Sequence, residues 1–129
     1  EFRRVLFRSP AILSQMPTEV QSGIREVNKL TSAGNQSATI NTTADKLFLL
    51  SEIEIFGSVS FSKSGEGTQY DYYKAGNSRV KNYNGSARTW WERSPDDGNS
   101  TYFCFVDGGG GAYHANASGA RGVAFGFCF

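Results

Sequence analysis

The chain has 129 residues, 13 Lys plus Arg against 12 Asp plus Glu, a formal net charge of +1, and 14% aromatic residues beside 15 glycines. That length is one ordinary domain with room for a real core. No basic face and no apolar run of transmembrane length is present, so neither nucleic acid nor membrane insertion is expected.

Residues Glu1 to Ser9, EFRRVLFRS, back-translate codon for codon into a string that resembles a common sequencing-library adapter. They are read as a translated artefact; no apolar h-region or small-residue cleavage site follows Arg3, Arg4 and Arg8 to make a signal peptide. On this reading the chain comes from assembled environmental DNA and is the C-terminal part of a longer protein. Removing those three arginines and Glu1 lowers the basic and acidic counts to 10 and 11, so the net charge turns from +1 to −1.

Pro10 to Lys29 opens the domain. From Met16 onward, Val20, Ile24, Val27 and Leu30 follow at spacings of four, four, three and three, one apolar stripe on a helix bounded by Pro17 and capped by Thr18. Asn35 to Thr43 is Ser/Thr/Asn-rich and reads as a loop. Lys46 to Ser51 is a compact apolar run read as a buried strand, and Glu52 to Phe56 is left open as a short helix or more strand.

Gly57 to Gly67 is irregular, and turns are expected at Gly76-Asn77 and Asn84-Gly85. Trp90-Trp91 begins a strand that Pro95 ends. Asp96 to Asn99 is a turn, Tyr102 to Val106 a strand, Gly108 to Gly111 a hairpin tip or loop, and Val123 to Phe129 a closing buried strand. One leading helix followed by short strands and long loops defines an α+β domain from residue 10 to 129.

The frame of WW-x-RSP, FC-x-V and GVAFGFC, preceded by LFLLSEIEIFG, GTQYDYYK and K-x-x-x-GSA, resembles a domain of unknown function common in gut bacteria and their phages. That family is similar to C-type lectin-like folds and to the formylglycine-generating-enzyme scaffold. Some members look like the variable proteins of diversity-generating retroelements, whose C-terminal segments are rewritten at adenines. The resemblance implies a C-type lectin-like fold and a ligand-binding role on a phage tail, a prophage product or a bacterial surface. The implied partner is a cell-surface protein or glycan, and a homo-oligomer formed through a missing N-terminal region is compatible with it.

The C-terminal segment bears on that implication. Within the apolar frame lie Tyr102, Phe105, Asp107, Gly108, Gly109, Gly111, Tyr113, His114, Asn116, Ser118, Gly119 and Arg121, with no consistent period. Adenine-directed change at the first two bases of AAC gives NNC codons, which encode no Lys, Glu, Gln, Met or Trp. None of those residues occurs from Arg93 to Phe129, and each candidate position holds a residue with an NNC codon. Ordinary strand and turn composition gives the same depletion. If the surface is real, Tyr102, Phe105, Tyr113, His114 and Arg121 are its expected anchors, with Asp107 and Asn116 setting polar specificity.

Other chemistry is weaker in the sequence. Asp96, Asp97 and Asn99 suit a turn better than a calcium loop, because the Glu-Pro-Asn or Gln-Pro-Asp and Trp-Asn-Asp segments of calcium-dependent lectins are missing. The glycine run lacks the Lys-Ser/Thr of a phosphate loop. His114 has no nameable nucleophile, so no catalytic residue, metal site or cofactor is expected. Cys104 and Cys128 are read as small core residues, although pairing stays open. The tryptophans are expected as core anchors, and Arg93 as a brace on backbone carbonyls or on Glu52 or Glu54. Asn-x-Ser/Thr triplets at Asn35, Asn41, Asn84, Asn99 and Asn116 reflect Asn/Ser/Thr-rich loops. The runner-up functions are a purely structural virion or cell-surface domain and, third, a cysteine-oxidising enzyme.

Overall fold

The computed structural model describes residues 9–129, with side chains from residue 11. The segment read as an adapter lies outside the described residues except for Ser9. The fold is mixed, with short helices and short antiparallel strands. Helix α1 spans Ser9–Leu13 and α2 Thr18–Gly23; strands β1 (Val27–Ser32) and β2 (Ile40–Asp45) form an antiparallel pair. Helices α3 (Glu52–Phe56) and α4 (Asp71–Lys74) follow. A small hairpin joins β3 (Lys81–Tyr83) to β4 (Ser86–Arg88). The principal sheet runs β5 (Trp90–Pro95), β6 (Tyr102–Val106), β7 (Ala112–Asn116), all antiparallel.

The expected opening helix stops at Gly23, and Val27 and Leu30 lie in β1 instead. The apolar stripe misled because β1 is inverted: Lys29 and Thr31 are buried, while Leu30 is 38% exposed. The inward lysine reaches a carboxylate network, so the strand's alternation does not follow hydrophobicity. The loop expected over residues 35–43 overlaps β2, whose threonines suit a strand paired on one side.

Leu47, Phe48 and Leu49 are buried as expected, yet they form no ladder; Phe48 makes a single bridge to Gly126. Helix α3 then begins at Ser51. The Ser51 hydroxyl accepts from the Glu54 N–H while the Glu54 carboxylate accepts from the Ser51 N–H, a reciprocal capping box. Gly57, at φ +75°, ends the helix in the left-handed conformation that glycine adopts most easily.

Asn84 and Gly85, at φ +51° and +77°, make the tight turn of the β3–β4 hairpin, as their sequence suggested. The closing strand is different. Gly122, Gly126 and Cys128 bridge Trp90, Phe48 and Arg25 singly, so the tail stitches three regions together without forming a regular strand. Val123, Phe127 and Phe129 are exposed there. Both cysteines are free; Cys104 is buried as expected, whereas Cys128 is exposed, which corrects its reading as a core residue.

Both faces of the principal sheet are covered. Trp90 and Val106 pack with Ile55 and Tyr73, while Trp91 and Phe105 pack with Leu49. The Trp90 indole N–H donates to the Arg79 carbonyl at 3.0 Å. This is the hydrogen-bonded core anchor that the tryptophan pair predicted.

Beneath the sheet sits a buried polar network. The Arg93 guanidinium donates to Glu54 Oε2 at 2.5 Å and Oε1 at 3.0 Å, and to the carbonyls of Leu30, Leu49 and Glu66. The brace predicted for Arg93 is therefore made, on Glu54. Lys29 pairs with the same carboxylate and donates to the Tyr70 hydroxyl at 2.8 Å. Burial alone raises the Glu54 pKa, but Arg93, Lys29 and the Ser51 N–H outweigh it and hold the carboxyl below its ordinary value.

Glu52 accepts from the N–H groups of Ser60, Phe61 and Ser62. Glu66 accepts from the Ser32 N–H and the Ser94 hydroxyl, and burial still keeps its pKa raised. Glu92 is wholly buried with neither oxygen hydrogen-bonded, and burial pushes its pKa well above normal, followed by the nearby Glu52 and Glu66.

Candidate ligand-binding surface

The β6–β7 hairpin places the candidate residues. Register pairs Tyr102 with Asn116, Cys104 with His114 and Phe105 with Tyr113. Since successive residues alternate faces, Tyr102, His114 and Asn116 lie on one side of the hairpin, with Phe105 and Tyr113 on the other. β7 is the last strand of its sheet, and the two groups meet around that edge through Phe61. The Phe61 ring stacks on His114 at 4.0 Å and meets Tyr113 edge-on at 6.0 Å. Tyr102 lies 5.4 Å from His114.

The sequence reading counted Phe105 as a contact residue, and burial corrects that. Its ring is 4% exposed and belongs to the core with Trp91. It supports the surface from below, edge-on to Tyr113 at 5.6 Å and under the Arg121 guanidinium at 4.0 Å. Arg121 also lies over the Trp91 ring at 4.5 Å. Desolvation lowers the Arg121 pKa, and its buried Nε has no hydrogen-bond partner. Tyr113, by contrast, is 55% exposed, though its ring is held by Phe105, Phe61 and His114.

Two residues expected to set polar specificity hold the backbone instead. Asp107 Oδ1 accepts from the Gly109 N–H at 2.8 Å and the Gly111 N–H at 2.9 Å. Asn116 Oδ1 accepts from the Ser118 N–H at 3.1 Å. Both are local side-chain turns of the kind Asp and Asn form readily.

Asp96 completes one side of the patch. It is buried, pairs with His114 Nδ1 and accepts from the Gly98 N–H at 2.7 Å. Asn99 Oδ1 accepts from the Thr101 N–H, and the Tyr102 N–H donates to the Asn99 carbonyl, so the hydrogen-bonded turn spans residues 99–102. Among the described residues, no group of three or more His, Cys, Asp or Glu could hold a metal ion. Nor is any described helix long and apolar enough to cross a membrane.

The glycines separate into two kinds. At Gly108 an added Cβ would meet only the Ala87 carbonyl at 4.0 Å. At Gly109, Gly111 and Gly119 the nearest atoms belong to the ends of the Asp107 or Arg121 side chains, and none of these glycines needs a left-handed φ. Gly110 does, at φ +88°. At Gly122 a Cβ would lie 3.1 Å from the Thr89 carbonyl, and at Gly126 it would lie 2.5 Å from the buried Phe48 ring.

Sequence reasoning missed a cleft of about 590 Å³ beside this hairpin, formed by the β3–β4 hairpin and residues 120–124. Lys81, Tyr83, Arg88 and Arg121 line it. Only Arg121 was singled out in the sequence, because the other three sit in a polar stretch that reads as solvated loop.

Fold and surface together define a small mixed domain of short antiparallel sheets carrying an exposed aromatic hairpin on a buried polar frame. Residues 7–128 match the family described as Domain of unknown function (DUF6273), and the chain belongs to that family. No curated protein and no solved structure matches it.

Proposed function

We propose that this domain is a ligand-binding module with a C-type lectin-like fold, carried on a phage tail, a prophage product or a bacterial surface. Its C-terminal hairpin varies between copies to select a cell-surface protein or glycan. The observation that carries this reading is the division of the glycines. Among the candidate positions, Gly108 has open space before it, and at Gly109, Gly111 and Gly119 an added Cβ would first meet the polar ends of Asp107 or Arg121, with the Asn116 carbonyl 3.4 Å from Gly119. The neighbouring Gly110, Gly122 and Gly126, outside that set, are fixed by backbone conformation or by close backbone and ring contacts. A surface meant to change its side chains while keeping its fold needs this arrangement. The Arg25–Cys128 bridge, which brings the chain's early and final segments together, fits the lectin-like topology.

The contact set on this reading is Tyr102, Tyr113, His114, Ser118 and Arg121, with Phe105 as their support. Tyr113 is its centre, because an exposed ring already held in place gives contact area at little entropic cost. Binding of the labelled chain to a panel of intact gut bacteria tests the proposal. Tyr113→Ala should reduce binding at least about tenfold, as an interface anchor does, with thermal stability nearly unchanged. Equal binding by wild type and variant would contradict it. In the source DNA, a reverse transcriptase beside a near-copy of the final coding segment, differing only at adenines, is the expected genetic sign.

The structural-domain reading draws support from Asp107 and Asn116, whose side chains serve their own loop. The enzymatic reading is the weakest. Burial pushes the Cys104 thiol far above its ordinary pKa, followed by Glu92, which disfavours the reactive thiolate.

A further inference from the structure

The cleft between the β3–β4 hairpin and residues 120–124 gathers cations without acids. Lys81, Arg88 and Arg121 line it, and no Asp or Glu does. None of the three forms an ion pair among the described residues, although Arg93, Lys29 and Lys63 all do. The charges of Lys81 and Arg121 are instead set against aromatic rings. Lys81 Nζ stands 5.0 Å from the centroid of Trp90, and the Arg121 guanidinium lies over Trp91 and Phe105. Such contacts orient a cation without neutralising it, so the charge stays available to a ligand.

The remaining lining is equally informative. Tyr83, 67% exposed, offers a flat ring at the mouth, with Asn82 and Thr89 beside it. The volume suits one or two sugar rings and lies within the usual range for small-ligand sites. Ala120, Gly122 and Ala124 also line the cleft, with Trp90 and Val123.

We propose that this cleft binds the acid group of a glycan, a carboxylate- or sulfate-bearing sugar, without calcium. Lys81 and Arg88 contact the acid oxygens, Arg121, held against Trp91 and Phe105, lines the cleft beside them, and the C–H face of the ring lies on Tyr83. Forked Arg donors match both carboxylate and sulfate oxygens. This inference deepens the binding reading by naming its ligand class. It also divides the labour: Lys81 and Arg88 belong to the β3–β4 hairpin, outside the segment proposed to vary, whereas Arg121 belongs to that segment. Acid recognition would then be retained while the Arg121 side tunes which sugar is taken.

Isothermal titration calorimetry of the full chain tests this with four compounds: trigalacturonate, a sulfated heparin disaccharide, neutral maltotriose, and hexaglutamate. One or both acidic sugars should bind, with the preferred one separating carboxylate from sulfate, while maltotriose should not. Binding should persist in EDTA and weaken as salt rises. The double variant Lys81→Gln/Arg88→Gln should lose at least about tenfold in affinity, as expected when charge-assisted contacts are removed. Both residues are exposed, so an unchanged melting temperature will show that the fold is intact. Tyr83→Ala gives a second, charge-neutral variant that should also weaken binding.

Hexaglutamate binding without sugar binding overturns the glycan assignment, and so does sugar binding indifferent to all these substitutions. Adhesion to intact cells is measured in parallel. Adhesion that survives Lys81→Gln/Arg88→Gln but fails in Tyr113→Ala refutes the cleft alone, whereas adhesion indifferent to Tyr113→Ala refutes the wider binding reading.

Discussion

The Arg93 network and the β6–β7 hairpin both carry many polar groups, and they use them in opposite ways. Around Arg93 the partners come from distant parts of the chain: Leu30 from β1, Leu49 before α3, Glu54 within α3 and Glu66 beyond it. In the hairpin the bonds of Asp107 to Gly109 and Gly111, and of Asn116 to Ser118, are to neighbours, while His114 reaches back to the buried Asp96. Long-range bonds make each group necessary to the fold. Local ones let the hairpin's loops keep their own shape. The chain thus separates the residues that determine its structure from those able to change.

Breaking the interior should have the largest effect. Arg93→Met strips the buried Glu54 of its main partner and leaves three carbonyls short of a donor. Removing one member of a buried pair costs about 3–5 kcal/mol, to be read by urea denaturation. A loss below about 1 kcal/mol would mean that the network is not holding the fold.

Acidity probes the same interior. The pKa of Glu92 is raised, so the folded state holds a proton that the unfolded chain releases above its ordinary value of 4.5. Its contribution is complete below that pH and is lost as pH rises toward the folded pKa, at up to about 1.4 kcal/mol per pH unit. Glu66 acts in the same direction. Glu54, whose pKa is lowered, acts in the opposite one: its contribution is present above 4.5 and lost as pH falls through its folded pKa. Denaturation from pH 4.5 to 8 should show stability falling, and Glu92→Gln should flatten that slope.

The glycines sharpen the contrast at smaller scale. Gly126→Ala pushes a methyl group into the Phe48 ring and should cost about 1–3 kcal/mol, the usual range for overpacking. Gly109→Ala should stay within about 0.5 kcal/mol, as surface changes do. Thermal melts of the two variants would measure the difference directly.

Much of this contrast could be read in the sequence, for physical reasons that differ by element. Trp90 to Pro95 and Tyr102 to Val106 were legible because bulky apolar runs bounded by Pro and by an Asp-Gly turn have few alternatives. The Arg93 brace was legible because a buried guanidinium needs acceptors. The start of α3 was present but passed over: Ser51 and Glu54 stand at capping-box spacing before Gly57. β1 was not legible, since its inward Lys29 is explained only by a carboxylate 25 residues away. Nor was the closing segment, where Gly122, Gly126 and Cys128 each bridge a different part of the chain. In the site, the exposure of Tyr113 was legible, whereas the half-buried pairing of His114 with Asp96 was not, because the two lie 18 residues apart. Phe105 was not, because alternation within a short hairpin does not say which face is covered. The basic cleft escaped notice because Lys81 and Arg88 meet Arg121 only in three dimensions.

The central claim is that the hairpin's outward residues are interchangeable while its frame is not. The direct measurement is a protease-resistance selection on two displayed libraries. One carries NNC codons at Tyr102, Gly108, Gly109, Tyr113, His114, Ser118, Gly119 and Arg121; the other carries them at Trp90, Trp91, Arg93, Val106, Gly122 and Gly126. The account predicts that most members of the first library stay folded and that very few of the second do. Similar survival in the two would contradict it.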